Sequence, residues 1–499
     1  MRPLNVIIIG AGLSGLACGI RLAAEGCRVK ILEKNSFAGG SLGTFEVNGF
    51  QFNTGAEIIT APFLFDQLFE CAGKHRIDSI KFLEVDPIFQ AIFPSRNRFS
   101  FYKNPNETIQ LNGLFSDADL IGFKNFSEAS SSIFDEVFFD YCGSPVDETT
   151  FSLRSNLWFR RLNAQQSCQE FADKFFRSPE LKQFFGFWPL LGGGNPRQES
   201  HLFRLVSQLF QRWGAAVPEG GMENLVNAIV SLFSASGGEI LFNTEVSEIQ
   251  IFNKTVSGVR LKDGGILQAD LVISAADTAA TYRNLIDIDR NRYNVVESAK
   301  QRPAGFSLFV YHIGTRCVLQ ERQELTPFNI LFPENYDQFL DELFEQKVVS
   351  ANPLMFLRMP SKTEALKTPE GTEALSLIVP VPNLESYDGW RYDSYAYRNR
   401  LLNLLQQYFV TDIRSNLIAE SFFDPLAFQN RLGCYAGSVF SFQPTLQKSG
   451  EIRMANRSKD IRNLYLIGNG AHPGASMVGA LLGAANTVEL IKSDFADER

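Results

Sequence analysis

Histidine and tryptophan are scarce in this 499-residue chain, with four of each. The histidines stand at 75, 201, 312 and 472, so no metal-ligand spacing is visible and no metal site is expected. Seven cysteines (18, 27, 71, 142, 168, 317 and 434) are odd in number and scattered, without a C-x-x-C pair. That pattern offers no disulfide framework and suits a reducing compartment. Positive charge is also short: 47 Lys and Arg against 55 Asp and Glu leave a net charge of −8. A nucleic-acid partner is therefore not expected, although a local basic patch is not excluded. No uninterrupted apolar run reaches the ~18–20 residues needed to cross a bilayer. The chain reads as cytoplasmic, or peripheral to a membrane. The stretch "VIIIGAGLSGLACGIRLAA" comes nearest to a signal sequence, but glycines and Arg21 interrupt it, and it reads as a buried strand–turn–helix.

Apolar material is plentiful. Hydrophobic residues make up 45% and charged residues 20% of a length that suits two or three domains. Phenylalanine stands out, with 45 Phe against 13 Tyr. Many lie between residues 134 and 210, in "VFFDY", "DKFFRS" and "QFFGFW". Core packing accounts for part of this excess, and a long apolar cavity or a lipid-facing surface for the rest.

"NVIIIGAGLSG" reads as a strand running at once into Gly10, Gly12 and Gly15 and then into helix. Gly10 permits the tight turn, Gly12 lets backbone approach a pyrophosphate, and Gly15 lets the helix pack on the strand. The helix N-terminus then offers amides and a positive dipole end to phosphate. Gly26 ends that helix, and a second strand, "RVKILE", finishes in Glu33, the position from which an acid accepts ribose hydroxyls. A further Gly39-Gly40 pair and a short hairpin follow, an arrangement seen in flavin oxidoreductases. FAD is favoured over NAD on this ground.

Residues 223–234 have a helical apolar period (Leu225, Ile229, Leu232, Phe233) that Gly237-Gly238 stops. "EILFNTEVSEIQIF", "TVSGVRLKD" and "ILQADLVISAAD" follow as strands, the last two joined by "KDGG". This tract reads as the chain returning to complete the cofactor domain. Val246 then falls where a backbone contact to adenine is usual; an ordinary strand residue fits the spacing equally well. The stretches 61–213 and 287–434 are less regular. In "YDQFLDELFEQK", Phe339, Leu340, Leu343 and Phe344 mark the inner face of a helix whose Asp337 and Asp341 fit a solvated face better than an acid pair. "RSNLWFRRL" sets Arg154, Arg160 and Arg161 beside Trp158 and Phe159, which suits either a membrane surface or an exposed structural helix. No internal repeat is present, and "SEASSS" is the only low-complexity scrap.

The closing stretch "NLYLIGNGAHPGASMVGALLGAA" reads as strand, loop and small-residue helix. A second junction of this kind brings bare backbone amides to a cofactor, so Gly468, Asn469, Gly470, Met477 and Val478 join the candidate binding residues. His472, in the same loop, is the best single candidate for a base near neutrality; a histidine that orders the loop is the alternative.

These residues carry a resemblance. The closing stretch is similar to the closing flavin motif of the bacterial and fungal-type phytoene desaturases, which are carotenoid desaturases of the flavin amine oxidase superfamily. "GGSLGTFEVNGFQFNTG", "PLLGGGNP", "WGAAVPEGGMENLV", "ISAADTAATYRNLI", "PVPNL" and "YAGSVFSFQPTLQ" fall in that family's order along essentially the whole chain. The resemblance implies an α/β fold: a Rossmann-like FAD-binding domain (1–60, 214–286 and 435–499) with an interleaved α+β substrate-binding and membrane-facing domain (61–213 and 287–434). It implies FAD held by Gly10, Ala11, Gly12, Leu13, Ser14, Gly15, Glu33, Lys34, Gly39, Gly40, Ser41, Gly55, Val246 and the closing-loop residues named above. It further implies desaturation of a long apolar polyene, quinone or oxygen as electron acceptor, and a peripheral position on the membrane. Related possibilities are dehydrosqualene or hydroxycarotenoid desaturation, carotene isomerisation, amine oxidation and a non-redox prenyl-protein escort role.

Three departures stand out. Gly468-Asn469 replaces the generic Gly-Asp of flavoproteins, as in the related desaturases. Gly39-Gly40-Ser41 replaces Gly-Gly-Arg, and Phe52-Asn53-Thr54-Gly55-Ala56 replaces Phe-Asp-x-Gly-Pro. The first of these last two removes a cation near the pyrophosphate, and both leave the substrate open.

Overall fold

The computed structural model describes residues 3–110, 113, 115–146, 157–287, 293–316, 325–363, 366–409, 412–446 and 453–496. Arg154 and Cys317 lie outside them.

Strands buried on both faces read as continuous aliphatic runs rather than as alternations. "NVIII", "RVKIL" and "LVIS" are such runs, and they form the centre of a five-stranded parallel sheet. Its order is Leu464–Leu466, Leu271–Ser274, Asn5–Ile9, Arg28–Leu32, Glu239–Leu241. Strands from the start, middle and end of the chain thus share one layer. The first helix, Leu13–Ala24, packs against both the closing helix, Met477–Asp494, and the helix Met222–Ala235. Gly19 permits the last contact, because a Cβ there would stand 2.8 Å from the Phe233 ring.

Two tracts that read as single strands are split. Glu239–Leu241 joins the parallel sheet, whereas Val246–Phe252 turns away to pair with Thr255–Leu261, which pairs in turn with Ile266–Gln268. The break falls at Asn243, whose φ of 53° turns the chain. Asn243 donates its backbone N–H to Asn35 O at 3.0 Å, and Thr244 donates to Glu33 O at 2.8 Å. The second tract divides likewise, with Leu271–Ser274 returning to the parallel sheet.

The other layer is a seven-stranded mixed sheet. Its order is Leu417–Phe423, Ser307–Thr315, Glu373–Val381, Met355–Arg358, Phe328–Leu331, Phe89–Ile92, Arg98–Phe101. All its pairs are antiparallel except Phe328–Leu331 with Phe89–Ile92. Helices Asp117–Asp135, Cys168–Phe175, Pro179–Gly186 and Leu205–Trp213 pack near one end. Serines 116, 167 and 178 cap the first three, with a complete capping box at Ser167 and Glu170.

Most of the phenylalanine excess goes into this region's core, where Phe99, Phe123, Phe126, Phe176, Phe184, Phe185 and Phe187 are at most 1% exposed. In "YDQFLDELFEQK" the apolar residues do turn inward, and Asp337 and Asp341 both pair with Arg197, at 2.6 and 2.5 Å. In "RSNLWFRRL" Phe159 is buried and Trp158 half-buried, its indole N–H donated to Glu136. That aromatic pair faces protein. Among the described residues, no helix is long and apolar enough to cross a membrane.

Candidate active site

Where the strands of the parallel sheet end, a cavity of 690 Å³ opens and continues over the face of the seven-stranded sheet. Gly10, Gly12, Leu13, Ser14, Glu33, Lys34, Gly39, Gly40, Ser41, Gly55, Val246, Gly468, Asn469 and Met477 line its first part. Four other candidates stand behind that wall. Ala11 donates its N–H to Glu33 Oε2 at 2.9 Å. Gly15 packs under Gly10, Gly470 against Thr278 and Ser441, and Val478 lies in the core.

The first part has the features of a dinucleotide cradle. Gly12 caps the first helix with no side chain, so the amides of that first turn have no side-chain partner there. A Cβ on Gly12 would meet nothing within 4 Å, which means open space next to those amides. Gly10, Gly39, Gly40 and Gly468 have φ of 99°, 107°, 61° and 101°, values that glycine alone adopts freely. Glu33 Oε1 accepts from both the backbone N–H and Nδ2 of Asn35 at 2.9 Å, which fixes the carboxylate and leaves lone pairs for hydroxyls. Lys34 Nζ donates to Asn430 O at 3.2 Å. Lys34 and Arg358 are the only cations lining the cavity among the described residues. Asn469 donates Nδ2 to Val439 O at 2.7 Å, a bond that a carboxylate in its place could not make. The donor set fits FAD: the amides at the helix N-terminus would hold phosphate, and Glu33 would accept from ribose hydroxyls.

The second part is apolar. Phe89, Leu190, Phe210, Leu308, Val310, Phe328, Phe356, Ile378, Pro380 and Phe440 line it, joined by Asn53, Glu57, His312, Arg358 and Ser376. Sequence reading did not single out Glu57, His312 or Arg358 for chemistry. They are far apart in the chain, and only strand register brings the last two together.

His472 does not reach the cavity wall. Its ring is 3% exposed, packs edge-on to Tyr141 at 5.0 Å, and donates Nε2–H to Tyr141 O at 3.0 Å. Its own carbonyl accepts from Asn456 Nδ2 at 2.8 Å. The catalytic assignment to His472 therefore gives way to the ordering role. Burial pushes its pKa from 6.5 down to about 4, against the backbone bonds from Tyr141 and Ser144. The stability that neutral His472 contributes is full above pH 6.5 and is lost as pH falls toward 4, because the unfolded chain takes up the proton first. At pH 5 the loss is about 2 kcal/mol. In urea titrations His472→Gln is expected to lose less stability between pH 7 and pH 5 than the unaltered chain. Equal losses would mean that the histidine is not held neutral.

The whole-chain comparison agrees with this geometry. A model of the flavin containing amine oxidoreductase family matches residues 13–492. The chain belongs to that family. A phytoene desaturase (lycopene-forming) of Pseudescherichia vulneris is 32% identical over 491 residues, covering 98% of this chain and 99% of that one. A 4,4'-diaponeurosporene oxygenase of Staphylococcus aureus is 26% identical, with 99% of each chain covered. Among solved structures, a putrescine oxidase variant superposes with a TM-score of 0.66 at 14% identity over 100% of this chain and 99% of that one, a likeness of fold. The protein is an FAD-dependent oxidoreductase of the flavin amine oxidase fold.

Proposed function

We propose that the protein desaturates a long apolar polyene of the phytoene type. The observation that carries this reading is the continuity of the cavity: a glycine-lined dinucleotide cradle opens into a chamber walled by phenylalanine, leucine, isoleucine and valine. Bound FAD supplies a two-electron acceptor for hydride from an allylic carbon. The chain's own contribution is to orient and to keep dry. Phe89, Phe210, Phe328 and Phe440 confine an extended hydrocarbon, and their bulk excludes water from the bond being oxidised. The full-length similarity to the lycopene-forming desaturase supports the substrate class.

Quinone or oxygen is the acceptor that restores the oxidised cofactor, and the substrate arrives from a membrane on which the protein lies. Ile121, Phe139 and Leu157 are 62%, 47% and 69% exposed and offer apolar contact to that surface.

The test is anaerobic visible absorption of the purified holoenzyme with phytoene in vesicles. Bleaching of bound flavin with appearance of a longer conjugated chromophore is the expected result. Flavin that stays oxidised would remove phytoene as substrate and leave the fold and cofactor unchanged.

A further inference from the structure

The chamber meets the cradle at one end and closes at the other, and strand register places both ends. Strands Ser307–Thr315, Glu373–Val381 and Met355–Arg358 set His312, Ser376 and Arg358 in one row across its floor. Phe328 stands opposite Arg358, and Phe89 follows on the next strand, its ring 6.5 Å from that of Phe328. Four strand spacings of ~4.8 Å give this row a length of ~19 Å. Glu57 reaches the row at its middle, where it forms an ion pair with Arg358, the two side chains being 4% and 3% exposed.

The His312 end belongs to the cradle. Helix Pro425–Leu432 packs on strand Ser307–Thr315 there, and its Asn430 carbonyl holds Lys34. Val439, whose carbonyl accepts from Asn469, packs in one cluster with Leu308 and Val310. The Phe89 end is blind. The next strand puts Phe101 opposite Phe89 on the same face, yet the chamber does not extend over it. Phe210 stands edge-on to Phe89 at 5.2 Å, and Trp188 covers Phe89 and Phe101 at 6.4 and 5.9 Å. Phe184 backs Trp188 and Phe101 at 5.7 and 5.6 Å. Exposure separates the two layers. Phe89, Phe210 and Phe328 line the chamber and keep 4%, 5% and 7% of their surface accessible, whereas Phe101, Trp188 and Phe184 keep none. A packed double layer of rings does not yield to a chain end, because protein interiors have little slack.

We infer that the aromatic wall of Phe89, Phe210 and Phe328 is the stop against which the end of the polyene seats. It thereby sets how far from that end a bond can lie and still reach the cofactor. This rests on the reading of the protein as a polyene desaturase and adds the residues that select chain length. A chain inserted to a blind wall has one fixed point, its end. A chain whose reactive bond lies further from its end than the chamber is deep is rejected by overpacking.

Two experiments on the holoenzyme test this. In the first, a linear isoprenoid hydrocarbon carrying a diazirine at one end is supplied in phosphatidylcholine vesicles and irradiated, and the labelled peptides are identified by mass spectrometry. Label on Phe89, Phe210 or Phe328 is expected. Label confined to the cradle side, on Leu308, Val310 or Phe440, would overturn the proposal. The second compares rates of anaerobic flavin bleaching by phytoene and by the shorter dehydrosqualene, in which the first bond to be oxidised lies one isoprene unit nearer the end. Phe89→Trp shortens the chamber, and the rate ratio of phytoene to dehydrosqualene is expected to fall by roughly tenfold or more. Phe89→Ala lengthens it, and there the ratio does not fall. Phe184→Ala loosens the same aromatic core behind the wall and leaves the ratio as it is. A ratio unmoved by Phe89→Trp, or moved as far by Phe184→Ala, would also overturn the stop. If label lands on the wall and neither chain bleaches the flavin, the stop stands and the desaturase reading falls. Bleaching with label away from the wall keeps the desaturase reading and removes the stop.

Discussion

Gly15→Val is expected to destroy the flavin site and the sheet beneath it together. A Cβ at this position would lie inside the van der Waals envelope of the Gly10 carbonyl oxygen and 3.2 Å from Ala275 Cβ. Both neighbours are fixed: Gly10 donates its N–H to Leu32 O at 2.8 Å, and Ala275 donates to Ile9 O at 2.9 Å. Relief therefore requires the helix to lift from the sheet, and overpacking of this kind costs about 1–3 kcal/mol or more. Gly12→Ala separates the two functions of the cradle. Its Cβ would meet no protein atom within 4 Å, so the fold should tolerate it. The same methyl would occupy the space that a phosphate needs. The expected pattern is loss of flavin and of urea stability for Gly15→Val. For Gly12→Ala the apoprotein should keep its stability while flavin affinity falls by ~10–100-fold, about 1.4 kcal/mol per tenfold. Flavin-to-protein absorbance ratios and apoprotein unfolding curves check both. A Gly12→Ala protein that keeps full flavin affinity would place the pyrophosphate elsewhere.

The contrast between these two glycines also marks how far the residues alone could be read. The strand–glycine–helix–strand–acid succession at residues 5–33 is local, and each part has a fixed purpose at fixed spacing. Strands Asn5–Ile9 and Arg28–Leu32 and the helix between them stand where the pattern puts them. Helix Met222–Ala235 also follows its apolar period to within one residue at each end of the expected 223–234. The splitting of the tract that follows it was hidden because a tight turn at Asn243 leaves the β-forming composition unbroken. Tertiary bonds to Glu33 and Asn35 decide it.

The site divides in the same way. The glycine-rich turns that line the cavity were legible, since sequence and conformation are tied there. His472 was misleading because its loop touches the cofactor region while its ring points to Tyr141. His312 and Arg358 lay beyond reach of spacing arguments. Their proximity depends on the register of Glu373–Val381 between two other strands, and no local pattern encodes that register. Asn53 was visible as a departure from the family's pattern, but its unmet Nδ2 appears only once burial is known.

Arg358→Met is the second substitution with a large expected effect. It would strand the Glu57 carboxylate, 4% exposed, against the apolar chamber without its counter-charge. Breaking a buried pair from one side costs about 3–5 kcal/mol, because the remaining charge has been taken out of water and is no longer compensated. Replacing both partners removes that penalty, so the double variant Glu57→Gln with Arg358→Met should recover most of the stability lost by the single one. Urea unfolding of the apoproteins reads this directly, with a coupling energy of several kcal/mol expected from the double-mutant cycle. Additive losses in the cycle would show that the two charges stabilise the chain independently.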